Sequence, residues 1–159
     1  MEIRLALVLT LATLVSPAIQ AGAADPPHGM FTPADIKWSD APPSLPKGSK
    51  MAVLYGDPSK DGLFIIRAKL PANYRIPAHS HPTDENVVVV SGELFMGMGN
   101  RLDKKVGHGL GVGGFALMPA NANHFAYTKA ETTIVLFGRG PVEFKYVDAN
   151  DDPRTKSGK

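Results

Sequence analysis

The chain opens on an almost wholly apolar run and then changes character twice. Leu5 to Val15 reads LALVLTLATLV, with Thr10 and Thr13 the only polar positions. Asp25 to Lys50 carries Pro26, Pro27, Pro33, Pro42, Pro43 and Pro46 and holds no long apolar period. Proline costs about 3 kcal/mol in a helix interior, so this stretch predicts an extended arm, with one short turn or strand at Ile36–Trp38. Trp38 is large enough to dock on the body. From Met51 onward come short runs rich in β-branched and aromatic residues: 51–55, 63–70, 85–90, 93–98, 115–118, 132–137 and 142–147. Turn residues separate them, such as Gly56-Asp57-Pro58, Asp61-Gly62, Ser91-Gly92 and the Gly138–Pro141 segment. Several short strands at regular spacing predict an all-β sandwich or barrel. Val142 to Val147 alternates apolar and polar side chains, the pattern of a half-buried strand. No apolar pattern keeps the helical period for three turns, and there is no internal repeat. The polar tail from Asp148 is expected to fray.

The first run is too short for a bilayer span of about 20 residues. Arg4 before it and Ala21-Gly22-Ala23 after it give the layout of a secretory signal. Residues 1–23 are therefore expected to be removed, leaving a Pro-rich arm at 24–50, a barrel at 51–147 and a tail at 148–159. With no Cys after the apolar run and no twin arginine, the expectation is a chain exported unfolded to the periplasm or medium, with no membrane anchor after cleavage.

Composition narrows the chemistry. Lys and Arg total 17 against 15 Asp and Glu, a net charge of +2. The basic residues are scattered, so no nucleic-acid partner is expected. The absence of cysteine excludes a disulfide scaffold, a thiolate metal site and a cysteine nucleophile. Gly 16 and Pro 14 without a collagen period fit a turn-rich β protein.

Three of the five histidines carry information. In the segment Arg75 to Glu85, His79 and His81 are two apart, so an extended chain presents both imidazoles to one side. Glu85 keeps the same parity, and Val87 and Val89 continue that inward row. Imidazole suits Zn, Cu, Fe and Ni, and a carboxylate adds a hard ligand. His124 follows the turn Pro119–Asn123 and leads a new strand to Thr128. Tyr127 has the opposite parity and is expected outside the barrel or at its rim. Asn123 and Tyr74 are candidate rim residues. Arg75 and Arg139 could meet an anion, although solvated arginines are the commoner case. His28 and His108 are not counted as ligands. Gly107–Gly114 lacks the features of a phosphate loop and is expected to be a mobile loop near the barrel mouth.

His79-x-His81-x3-Glu85-x6-Gly92 resembles the first motif of the cupin superfamily. Gly113-x5-Pro119-x-Asn121-x2-His124-x3-Thr128 resembles the second. Asn121 stands where that motif has glycine, Thr128 where it has asparagine, and Asn73 where the first motif has its leading glycine. Asn can adopt the left-handed backbone a glycine would supply. The resemblance covers roughly residues 50–147 and is similar in detail to small secreted RmlC-like cupins. It implies a double-stranded β-helix, or jelly-roll barrel, with an N-terminal arm. It also implies one divalent metal (Mn, Fe, Ni, Cu or Zn) on His79, His81, Glu85 and His124. Glu85 is then the only acid or base at the centre. The expected function is a metal-dependent, dioxygenase-like enzyme on a small organic molecule, and the alternative is a metal- or ligand-binding sensor without turnover. A homodimer through the arm is a further expectation.

Overall fold

The computed structural model describes residues 29–156; the expected export signal and His28 lie outside them. Eleven strands follow in chain order: β1 (Ser39–Asp40), β2 (Lys50–Tyr55), β3 (Gly62–Leu70), β4 (Arg75–Ser80), β5 (Glu85–Ser91), β6 (Leu94–Met98), β7 (His108–Leu110), β8 (Phe115–Met118), β9 (His124–Thr128), β10 (Thr132–Gly140) and β11 (Lys145–Tyr146). They form two antiparallel sheets, ordered β1-β2-β3-β10-β5-β8 and β11-β4-β9-β6-β7. No helix among the described residues is long and apolar enough to cross a membrane.

Period-2 alternation decides which side chains meet between the sheets. On β3, Phe64, Ile66, Ala68 and Leu70 are buried. On β5 the inward pair is Val87 and Val89, each 1% exposed. Leu94, Met96 and Ala126 answer from the facing sheet, and Met118 and Ile134 complete the core. β9 is buried along its whole length. Its outward side chains, Phe125 and Tyr127, pack with Phe95 and Leu102 in a second cluster.

The arm lies along the larger sheet. A 3-10 turn at Pro33–Asp35 precedes β1, and Ile36 and Leu45 are buried. Ile36–Trp38 is not a strand: pairing begins at Ser39, which faces Met51. Trp38 docks half-buried, with the Lys69 ammonium 5.1 Å from its ring centre. Only Lys145–Tyr146 of the expected 142–147 strand joins a ladder. Val142, Phe144 and Tyr146 nevertheless alternate inward as the segment crosses the end of the barrel, held at either side by the Val142 N–H on the Pro58 carbonyl at 2.7 Å and the Val147 N–H on the Ala78 carbonyl at 2.9 Å. The tail is built into two 3-10 turns, Ala149–Asp151 and Pro153–Lys156, and Arg154 donates to the Phe144 carbonyl at 2.9 Å.

Two expectations about the rim are corrected. Tyr74 is buried, and its hydroxyl bonds Ser49 Oγ at 2.8 Å and the Pro46 carbonyl, tying the arm to β4. The glycine-rich 107–114 stretch contains β7, which pairs with β6. Gly113 and Gly114 exchange hydrogen bonds with Val89, several residues along β5 from Glu85. Gly113 and Gly114 therefore sit away from Glu85, while His108 faces Met96, two residues along β6 from the Met98 that pairs with His124, and backbone pairing to two strands holds the segment.

Candidate metal centre

Four side chains converge at one end of the barrel, each placed by the start or finish of a strand. His79 is near the end of β4 and His81 one residue beyond it. Glu85 starts β5 and His124 starts β9. β4 pairs Ile76 with Ala126 but His79 with His124, so β4 spends one more residue than β9 over this interval. That bulge, at Pro77, brings His79 directly opposite His124.

Two loops are clasped to hold the strand starts. The Asn121 N–H donates to the His81 carbonyl at 2.7 Å, and the Ala120 N–H donates to Asp84 Oδ1 at 2.8 Å. Asn121 has φ 61°, the left-handed conformation for which glycine or asparagine is suited. Asn73, also at φ 61°, does the same before β4. Gly92 has φ 78°, and a Cβ there would lie 2.5 Å from the Glu131 carbonyl oxygen, so no other residue fits.

The imidazoles are packed against one another. Ring centres are 4.3 Å apart for His79 and His124, 4.9 Å for His79 and His81, and 5.2 Å for His81 and His124. All three are buried. Every Nδ1 faces a backbone carbonyl: Pro77 at 2.7 Å for His79, Glu143 at 2.6 Å for His81, Ala122 at 3.0 Å for His124. A carbonyl only accepts, so each Nδ1 carries the hydrogen and each Nε2 keeps its lone pair. Glu85 sits among them, with oxygens 3.6 Å from His81 Nε2 and 3.4 Å from His124 Nε2.

Protonation follows from burial. Burial, reinforced by the neighbouring His124 and His81, holds His79 down at about 3. Burial also lowers His81, against the pull of Glu85. For Glu85, burial pushes upward, but contact with His124 and the fields of the three imidazoles outweigh it and hold the carboxyl below its usual range. At neutral pH His79 and His81 are thus neutral donors beside an anionic carboxylate.

This arrangement fits a divalent ion. His81 Nε2 and His124 Nε2 are buried without a hydrogen-bond partner. Each such orphan costs about 1–3 kcal/mol unless something satisfies it. The donor atoms of His79, His81 and His124 lie within 4.8 Å of one another, and the three could hold one metal ion. Neutral imidazoles with their second nitrogen anchored to a carbonyl are the form in which histidine binds metals.

Other candidates fall away from the centre. His108 is exposed on β7. Arg139 is locked onto Asp61 by two bonds of 2.7 and 2.8 Å, and Arg75 is exposed opposite Tyr127. Tyr127 is outside the barrel, as its parity requires, yet buried, stacked on Phe95 at 4.8 Å. Asn123 bonds Asn100 at 2.8 Å. One participant escaped the sequence reading. Phe144 stacks on His79 at 5.1 Å and meets His81 edge-on at 4.7 Å, while the neighbouring Glu143 carbonyl fixes His81. Its only trace in the sequence is the alternation of residues 142–147.

A family model described as a domain of unknown function, DUF4437, matches residues 30–146. No curated protein matches the chain. Among solved structures, the polyketide cyclase RemF from Streptomyces resistomycificus is similar over 83% of this chain and 94% of its own, with TM-score 0.66 and 15% identity. An RmlC-like cupin from Shewanella frigidimarina covers 71% and 91% at TM-score 0.55 and 14% identity. KdgF from Halomonas sp. covers 72% and 96% at TM-score 0.53 and 18% identity. The shared architecture is the cupin jelly roll.

Proposed function

The chain belongs to the DUF4437 family, and from that premise we propose that it is an exported, metal-dependent cupin enzyme acting on a small organic molecule. The observation that carries the reading is the set of buried, unpartnered Nε2 atoms facing one carboxylate. His79, His81, Glu85 and His124 are the four ligands on this account. A bound Mn, Fe, Ni, Cu or Zn ion would supply Lewis acidity or, for the redox-active ions, oxygen chemistry, with up to two positions left for a ligand. The protein's part is to orient and to exclude water. The three carbonyls hold the imidazole tautomers, Phe144 covers His79 and His81, and Glu85 supplies the negative charge at the cluster.

A second reading, binding or sensing without turnover, is favoured by one observation. Among the described residues the histidines and Glu85 are themselves the proposed ligands, leaving no separate general acid or base at the cluster. Metal analysis of protein recovered from the export compartment, followed by oxygen-uptake assays with diketones and phenolics, separates the two. About one equivalent of Mn, Fe, Ni or Cu with oxygen consumption supports the enzyme. One equivalent of Zn and no turnover supports binding. Intact mass of the recovered chain tests removal of residues 1–23.

A further inference from the structure

The cavity behind the cluster points to the class of molecule the site takes. It has a volume of about 70 Å³ and is bordered by His81 and Glu85 at one side. Its other walls are apolar: Phe64, Ile66 and Ala68 from β3, Leu136 from β10, and Val142 and Phe144 from the segment crossing the barrel end. Among the described residues no Lys or Arg lines it.

Apart from His81 Nε2 and the Glu85 carboxylate, which belong to the cluster, the polar groups on the wall are already engaged. Thr83 Oγ1 donates to the Arg139 carbonyl at 2.7 Å. Asp84 accepts from Ala120, and His81 Nδ1 from its side is spent on Glu143. The guanidinium of Arg139 itself is held by Asp61. Two carboxylates, Asp84 and Glu85, border the cavity, and together they balance a divalent ion. An anion entering here would gain no net positive charge and would lose its hydration against hydrocarbon, a costly exchange.

We propose that this site takes a neutral ligand with an apolar body and discriminates against carboxylates and phosphates. The inference rests on the metal reading for the ligand's polar end, which meets the cluster at His81 and Glu85. The apolar end fills the cavity. A pocket of about 150 Å³ lined by Leu, Ile and Phe accepts benzene, so this one suits a chain of about three or four carbons, or the tip of a larger molecule.

The test compares n-butanol with n-butyrate, equal in carbon number and different in charge, on the full chain as purified. Saturation-transfer NMR reads binding, and the metal content of the same sample is measured separately. Butanol is expected to bind at least about tenfold more tightly than butyrate. Ala68→Leu, which fills the cavity from β3, is expected to abolish butanol transfer. Leu136→Ala, which widens it, is expected to admit n-hexanol, so the inference stays testable even where Ala68→Leu does not fold. Butyrate binding as well as butanol, or butanol binding undiminished in folded Ala68→Leu, overturns the proposal. So does hexanol binding no better to Leu136→Ala than to the parent. Alcohol selectivity in a chain that holds no metal would sink the metal reading and leave the apolar site standing. A metal-loaded chain preferring butyrate would do the reverse.

Discussion

At the residue scale the centre is defined by which nitrogen of each imidazole is free. Pro77, Glu143 and Ala122 carbonyls occupy the three Nδ1 atoms, which leaves Nε2 as the only lone pair that can act. Glu85 contributes charge as well as an oxygen. Glu85→Gln keeps the shape and removes the charge, so metal affinity is expected to fall at least about tenfold, measured by competition with a chromophoric chelator. Unchanged affinity would remove Glu85 from the ligand set. His108→Ala serves as the matched control, because His108 is exposed on β7 and meets none of the cluster; its metal content is expected to equal that of the parent.

At the element scale, turns decide where strand ends fall, and strand ends carry the site. Asn121 shows this most directly, since its left-handed backbone aims its N–H at the His81 carbonyl. Asn121→Gly should leave stability nearly unchanged. Asn121→Val should cost about 1–2 kcal/mol in urea unfolding, because a β-branched residue resists that conformation. Equal stability of the two variants would show that the turn does not need the conformation. Gly92→Ala should cost at least about 2 kcal/mol by the same measurement, since the new methyl meets the Glu131 carbonyl at the hairpin between β5 and β6.

Much of this level was legible before any coordinates. Parity from His79 named Val87 and Val89 as an inward row and put His79, His81 and Glu85 on one side, and the resemblance to the cupin motifs added His124 to them. The bulge at Pro77 was not legible. Parity counted from Ile76 misplaces His79, and only the pairing of β4 with β9 reveals the extra residue. β7 was missed for a related reason. Its three residues, His108–Leu110, sit in a run of glycines, where no side-chain pattern marks a strand, and backbone pairing with β6 alone forms it. Tyr74 looked like a rim residue because its hydroxyl partners, Ser49 and Pro46, are about 25 positions away in the arm, beyond the reach of local pattern.

At the scale of the whole molecule, two sheets close over a hydrocarbon core and leave the histidine–carboxylate cluster at an end bordered by Phe144 and an apolar cavity. Buried orphan nitrogens burden a metal-free barrel, and an ion that binds only the folded state adds stability by mass action. With free ion at a hundred times its dissociation constant the gain is about 2.7 kcal/mol. Chelation should therefore lower the melting temperature by several degrees, and the ion should restore it. The most direct test of the account is the metal content of the parent and the His79→Ala/His81→Ala double variant, purified side by side and analysed by native mass spectrometry. One ion per chain is expected in the parent and none in the variant, with matching circular dichroism. A metal-free parent, or a double variant that holds its ion as tightly, would contradict it.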